Sequence, residues 1–460
     1  MDAYASSVAK TFIGARLRRL RADQALSQAQ LARTLGLSTS YVNQLENDQR
    51  PATIPVLMKL TAAFEVDLHY FAADSDARLL ADLTQFFHEH PELGNTSDAD
   101  IEELVSRMPS VARTLLTLSR NQIRPDTDRT TAFEEVRDLF YDRDNHIAAL
   151  DNAAEALFLD AGLTIGGLDL QLAELLRARY DIATAISPAP QGDSTSRRSY
   201  DPRGRVLTLA QHLAPGQRAF ELATQLAYLS QSDLIDREIA TARELAPASL
   251  PVARVGLANY FAGALVLPYE RFLAAAERVR YDIDTLSHEF EVGFETVCHR
   301  LSTLQRTGRR GVPFFLIRTD RAGNISKRQS ATAFHFSRVG GSCPLWVIHE
   351  AFSTPGRLRR QVAEMPDGRT YLWVARTTTP AGSSFLRPEK TFAIGLGCDI
   401  VHARKLVYSV GLDISDRATI VPIGPGCKTC ERRACPQRAF PQLHHPIAVS
   451  DDRSSSLPYS

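Results

Sequence analysis

Three cysteines, Cys427, Cys430 and Cys435, fall close together in GPGCKTCERRACPQRAFP. Six cysteines in 460 residues are too sparse for a disulfide scaffold, so thiolates at this spacing read as metal ligands. The Cys-x2-Cys pair sits on one tight loop, where Gly424 and Gly426 let backbone approach closely. Four thiolates hold zinc or an iron–sulfur cluster. Zinc sites usually come as two CxxC knuckles, and one is present; a Cys-Pro closing a tight cysteine run is more typical of iron–sulfur ligation. Cys398, in GLGCDI, is the expected fourth ligand, with Cys343, in GGSCPLW, as the alternative. Arg432 and Arg433 would offset the cluster's negative charge, while His402, His444 and His445 leave a mixed ligand set open. Cys298, in FETVCHRL, reads as a small buried hydrophobe.

A second constellation is polar. Thr39, Ser40, Tyr41, Asn43 and Gln44 share the outward face of a short helix whose Val42 and Leu45 point inward. Asn and Gln amides match adenine edges in the major groove, and hydroxyls and arginines suit phosphates. Ser27 is placed to cap a helix over 28–35 that Gly36 ends as a left-handed cap, and Ser38 then caps the helix over 39–46. Two short helices joined by such a turn make a helix-turn-helix. A preceding helix at 8–22 supplies an apolar stripe (Val8, Phe12, Ala15, Leu17, Leu20) amid basic residues. The plainer alternative is a small bundle whose polar residues only face water. LSQAQLARTLGLSTSYVNQLENDQRPATIPVLMKLTAAFEVDLHYF resembles the repressor-type (lambda-Cro-like) helix-turn-helix family throughout. That resemblance implies that Gln28 and Arg50 touch phosphates and that Thr39, Ser40, Asn43 and Gln44 face base edges, with Ser38 and Tyr41 in the same contact set. One head covers about half a turn of duplex, so a homodimer or higher homo-oligomer on an inverted repeat is expected.

GQRAFELATQLAYL followed by VGLANYFAGALVLPYERF resembles a zinc metallopeptidase-like domain, whose His-Glu-x-x-His puts two ligands and a general base on one helix. Here the matching positions are Thr224, Gln225 and Tyr228, and the later ligand position is Leu257. Ligands and base are absent together, so a kept fold without peptidase chemistry is expected. A vacated site lined by Phe220, Thr224, Tyr228 and Tyr260 would suit a small ligand, although ordinary core packing explains each residue singly. Arg177 and Arg179 on the preceding helix could meet a phosphate or carboxylate, or form a solvated face.

These sites need a multidomain chain: an all-α head, an α+β peptidase-like middle domain and an α+β sensor-like domain carrying the cysteine loop. The expected boundaries are 1–75, a helical linker or dimerisation region at 76–160, 161–305, 306–443, and a disordered Ser-rich tail at 444–460. Helices are expected over 77–90, 98–121, 128–160 and much of 215–300, and 187–205 reads as a loop or hairpin. VPFFLIRTD, ATAFHFSRV, PLWVIHEAF, RTYLWVARTTT and KTFAIGLGCDI read as strands. With 53 basic and 53 acidic residues, global charge does not advertise a nucleic-acid partner, though a local patch can. No apolar run is long enough for a membrane helix and no export signal is visible, so a cytoplasmic protein is expected.

With CPLWVIHEAFSTPGRLRRQVAEMPDGRTYLWVARTT and FAIGLGCDIVHARKLVYSVGLD, this domain order resembles the short-chain fatty acyl transcriptional regulators along nearly the whole chain. The resemblance implies control of propionate or acetate metabolism genes and double-stranded operator DNA as partner. It also implies an acyl-CoA effector such as propionyl-CoA, a [4Fe-4S] cluster on the C-terminal cysteines, and no catalytic activity. A zinc-stabilised regulator, or a redox sensor without acyl-CoA response, are the alternatives; a metallopeptidase conflicts with the missing histidines.

Overall fold

The structure is a computed structural model. It describes residues 13–441 except 25, 48, 65–73, 90–95, 123–127, 188–195, 243–244, 331–341, 380–389, 415 and 433–434. The expected tail, the strand at ATAFHFSRV, His444, His445 and Arg433 lie outside the described residues. The chain forms two units, Met1–Pro125 and Asp126–Ser460.

The first unit opens with α1 (Gly14–Asp23), α2 (Gln28–Leu35), α3 (Thr39–Glu46) and α4 (Ile54–Phe64). Their apolar stripes share one core of Leu17, Leu20, Leu31, Leu35, Val42, Leu45, Val56 and Leu60. A separate small core, around Leu83, Ile101 and Val105, joins α5 (Asp74–Glu89), α6 (Asp98–Arg107) and α7 (Pro109–Gln122). The single helix expected over 98–121 is therefore two. Pro109 disfavours helical backbone at Met108, which sits at φ −134°.

The second unit begins with α8 (Asp128–Tyr141), α9 (Ala148–Asp160) and α10 (Leu168–Tyr180). Leu150, Ala154 and Phe158 of α9 are buried in the same core as the helices of the middle domain. The stretch expected as one linker over 76–160 thus divides at Pro125, and its second half belongs to the middle domain. Strands β1 (Ala183–Ser187), β2 (Arg198–Asp201) and β3 (Val206–Ala210) form a sheet in the order β1-β3-β2. Then come α11 (Pro215–Ser230), α12 (Ser232–Ala240), α13 (Leu250–Val266), α14 (Tyr269–Arg278), α15 (Ile283–Glu289) and α16 (Phe294–Leu301).

A six-stranded sheet completes the unit: β4 (Phe314–Thr319), β5 (Ile325–Ser330), β6 (Arg359–Glu364), β7 (Thr370–Thr378), β8 (Phe392–Asp399) and β9 (Val421–Pro422), with α17 (Val347–Glu350) between β5 and β6. The order is β5-β4-β8-β7-β6-β9. Side chains alternate between two covered faces. Phe314, Leu316, Leu372, Val374, Ile394, Leu396 and Cys398 join the helical core. Phe315, Ile317, Tyr371, Trp373 and Ala375 pack instead with Cys343, Trp346, Ile348 and Ile423. PLWVIHEAF is helical at its centre, not a strand. The Val347 amide is capped by Gln361 Oε1 at 3.0 Å, and the turn lays Trp346 and Ile348 on the sheet. Gly397 is where the two large rings meet. A Cβ there would lie 2.2 Å from the Phe315 ring and 2.7 Å from Trp373.

Candidate functional site

In the head, Ser27 Oγ accepts from the Gln30 amide while Gln30 Oε1 accepts from the Ser27 amide, a reciprocal cap that starts α2. Gly36 takes φ 62°, the left-handed conformation that stops it, and Ser38 Oγ caps α3 through the Tyr41 amide at 3.1 Å. Val42 and Leu45 are fully buried; Thr39, Ser40 and Asn43 are exposed, and Tyr41 and Gln44 half-buried. Arg50 stacks its guanidinium 5.2 Å from the Tyr41 ring centre. Beneath this face lies Glu46, only 1% exposed. It accepts from Arg21 Nε at 2.6 Å and Nη2 at 3.2 Å, and from Gln28 Nε2 at 2.6 Å. Gln28 Nε2 also lies 3.5 Å from Asn43 Oδ1. Glu46 therefore ties α1 to both helices of the motif and sets the Gln28 amide beside Asn43. The sequence marked Gln28, but nothing in it marked Arg21 and Glu46 as its support.

At the other end of the chain, Cys427, Cys430 and Cys435 share one loop, held by Arg438. Its Nη1 donates to the Cys427 carbonyl at 2.9 Å, and its Nη2 to the carbonyls of Cys430 at 2.8 Å and Arg432 at 2.5 Å. Arg432 anchors the same loop to β6, donating to the carbonyls of Glu364 at 2.8 Å and Ile423 at 3.1 Å. Gly424 is required: a Cβ there would stand 2.5 Å from Cys430 Sγ.

Of the two cysteines expected as a further ligand, Cys343 lies on the loop's side of the sheet and Cys398 does not. Cys343 packs in the same core as Ile423, which leads into the loop, and burial pushes its thiol up, with the charges of Cys430 and Cys427 adding to it. Cys398 registers with Phe314 and Leu372, so its side chain enters the helical core on the other face of the sheet. Burial raises that thiol steeply, with only Asp399 beside it as a further cause. The strand period puts Cys398 on the face away from the loop, which was not readable without knowing what covers each face. As the side chains stand, no three His, Cys, Asp or Glu among the described residues converge as a ready metal site.

In the middle domain, the residues expected around a vacated metal site have other partners. Thr224 is 3% exposed and turns its hydroxyl back to the Phe220 carbonyl at 2.8 Å. Leu257 is fully buried. Tyr228 lies under the Arg198 guanidinium at 5.4 Å, and Phe220 is 3.9 Å from where a Cβ on Gly263 would be. Arg177 and Arg179 are on the solvated face, paired with Glu174 and Asp160. Tyr260 instead enters a buried polar knot. Its hydroxyl donates to Asp151 Oδ2 at 2.8 Å and accepts from the Ile147 amide at 3.0 Å. Arg300 grips Asp151 with two bonds, 2.7 and 3.1 Å, and His146 Nδ1 lies 3.2 Å from Asp151 Oδ2. Burial alone would raise the Asp151 carboxyl, but Arg300 and His146 outweigh it and hold the carboxyl well below its ordinary range. Asp151 and Arg300 lie too far apart in sequence for any local pattern to pair them.

A helix-turn-helix head joined to a peptidase-like domain without metal ligands defines a DNA-binding transcriptional regulator. Residues 17–71 match the helix-turn-helix family, 177–302 the IrrE N-terminal-like domain, and 303–459 the short-chain fatty acyl coenzyme A regulator C-terminal family. The chain is 56% identical to the HTH-type transcriptional regulator PrpR of Mycobacterium tuberculosis, over 99% of this chain and 97% of that protein. It is 44% identical to the regulator RamB of that species, over 98% and 99%. It is 39% identical to a propionyl-CoA carboxylase regulator of Cereibacter sphaeroides, over 98% of each. A solved Mycobacterium tuberculosis transcriptional regulator superposes with a TM-score of 0.69 at 60% identity, covering 72% of this chain and 99% of that one. The chain belongs to the short-chain fatty acyl-coenzyme A regulator family, and it is a regulator rather than an enzyme. Among the described residues no single helix is long and apolar enough to cross a membrane.

Proposed function

We propose that this protein binds operators of propionate or acetate metabolism genes as a cytoplasmic homodimer, and that a short acyl-CoA such as propionyl-CoA modulates the binding. The outward face of α3 carries the reading, with Asn43 and Gln44 offering amides to base edges and Thr39 and Ser40 flanking them. Support for the effector comes from the relatives' names and from a peptidase-like domain whose helix has lost its ligands and base. Tyr260, bonded into the buried knot, is not available to a ligand in this conformation. The acyl group must be met elsewhere in the domain or after a rearrangement.

Cys343, Cys427, Cys430 and Cys435 fit an iron–sulfur cluster by donor chemistry and by the Gly424 gap beside Cys430. Bound there, a [4Fe-4S] cluster would supply a redox-sensitive brace between the loop and the segment before α17. The chain's own residues shape the place: Arg438 gathers the loop's carbonyls and Arg432 fixes it to β6.

The test is promoter binding by the full chain and by Asn43→Ala/Gln44→Ala, each with and without propionyl-CoA. Loss of two base-reading amides should weaken selective binding by about 30-fold or more, at roughly 1–3 kcal/mol per contact. Unchanged selectivity would remove the reading-head assignment, and an operator affinity indifferent to every short acyl-CoA would remove the effector.

A further inference from the structure

Among the described residues the two sheets end in the edge strands β1, β2, β5 and β9. An edge offers unpaired N–H and C=O groups to any other chain. Three of these edges are guarded. β9 is two residues long and contains Pro422, which has no amide proton. β5 carries Lys327 and Arg328, charges that deter a second strand. β2 carries Arg198 and Asp201 at its ends, and Ser196 Oγ donates to the Arg198 carbonyl at 3.4 Å. β1 is the exception. Its five residues, Ala183, Thr184, Ala185, Ile186 and Ser187, include no charge and no proline.

The parallel pairing with β3 decides which backbone groups of β1 stay open. The Ala183 amide donates to the Arg205 carbonyl and the Gln211 amide to the Ser187 carbonyl, both at 2.9 Å. Odd-numbered residues therefore bond to β3, and Thr184 and Ile186 turn their N–H and C=O groups outward. Among the described residues nothing bonds those outward groups. The side chains of Thr184 and Ile186 stand beside Leu207 and Leu209 of β3, on the face that joins the helical core. Yet Thr184 is exposed, and Ile186 keeps 57% of its surface in solvent. One more strand at this edge would carry the core a step outward and cover them.

We infer that this strand is β1 of a second copy, paired antiparallel about a two-fold axis through Ala185. The contact supplies the dimer of the regulator proposed above and rests on that reading. Charge and symmetry name the occupant. In an isologous contact each surface meets itself, so a charged edge repels its copy and an uncharged one does not. β1 bears no charge, and the residues of opposite sign at its start, Asp181 and Arg205, already answer each other at 3.1 Å. The open groups set the register: with Ala185 on the axis, Thr184 of each copy exchanges both backbone bonds with Ile186 of the other. Ala185 then faces its own copy as a non-hydrogen-bonded pair, about 4.5 Å apart at Cα, where a small side chain fits. Each copy uses its open edge on the other, so assembly closes at two.

Sedimentation velocity of the full chain tests the contact. Wild type should be a dimer. Ile186→Lys should raise its dissociation constant about ten-fold or more, because symmetry counts each lost pair twice. Thr184→Pro removes an outward amide without touching the ladder to β3 and should act the same way. Ser199→Lys, on the guarded edge β2, should sediment as wild type. Ala185→Cys should form a covalent dimer on mild oxidation, since cysteines on the axis lie within disulfide reach, and Ser199→Cys should not. A dimer that survives both Ile186→Lys and Thr184→Pro, or an Ala185→Cys protein that gives no covalent dimer, would overturn the β1 contact. Operator fragments keep this apart from the reading head. Ile186→Lys should bind a single half-site as wild type does while losing tight binding to the full inverted repeat. Loss of half-site binding in wild type would strike the reading head alone, and a wild type that is monomeric throughout would strike the dimer and the β1 contact together.

Discussion

Replacing Glu46 by Leu tests whether the reading head is held by its buried acid. The carboxylate is 1% exposed and accepts three bonds, two from Arg21 and one from Gln28. Removing one partner of a fully buried ion pair costs about 3–5 kcal/mol. Arg21 keeps 24% of its side chain in solvent, so water recovers part of that, leaving about 2–3 kcal/mol. In a domain of this size each kcal/mol moves the midpoint by about 4–8 °C, so the head should melt roughly 10–20 °C lower. Hydrogen exchange of peptides covering α2 and α3 in the full chain reads this directly. Operator affinity should fall as well, because Gln28 loses the group that orients its amide. Glu46→Gln, which keeps shape and an acceptor but no charge, should lie between. Unaltered exchange and operator affinity in Glu46→Leu would refute the idea that this acid organises the head.

Three further outcomes concern the second unit. Cys343→Ala should lose iron and acid-labile sulfide from anaerobically purified protein while Cys398→Ala keeps both; the reverse result would put the ligand set on the wrong face of the sheet. Asp151→Asn leaves the Arg300 guanidinium, 3% exposed, without its counter-charge and should cost about 3–5 kcal/mol by chemical denaturation. In the wild type the depressed Asp151 carboxyl contributes stability that is complete above the ordinary carboxylate range. That stability is lost as pH falls below that range, and an acid limb of the stability curve that Asp151→Asn does not flatten would contradict it. Gly397→Ala puts a methyl 2.2 Å from the Phe315 ring and should cost about 1–3 kcal/mol or more; a neutral calorimetric result would mean the sheet yields there.

The head was legible because its signals are local: Ser27, Gly36 and Ser38 punctuate the helices where capping chemistry requires, and the apolar period assigns Val42 and Leu45 inward. Three of the nine described strands, β4, β7 and β8, were legible from β-branched and aromatic runs. PLWVIHEAF carries the same composition, yet its Gln361-capped turn made it a helix; that partner lies in another element. β5, ISKRQS, is polar on its exposed side and was not recognisable as a strand until β4 paired with it. The cysteine loop was legible as three thiols gathered on one turn-rich segment. Which of Cys343 and Cys398 shares its side of the sheet was not, because the two differ only in the face they enter. The Asp151–Arg300 pair, with Tyr260 drawn into it, was hidden by sequence separation.

The central strand of the large sheet has a mechanical consequence. At Gly395 and Gly397 the strand has no side chains of its own to flex, and Ile317, Phe315 and Trp373 fill those places from either side. A layer packed that tightly does not absorb displacement by local give. A displacement of the cysteine loop on one surface is therefore expected to pass to the helices on the other rather than to be absorbed within the sheet. The sheet is a stiff diaphragm between the loop's surface and the helical core, built to carry load rather than to yield.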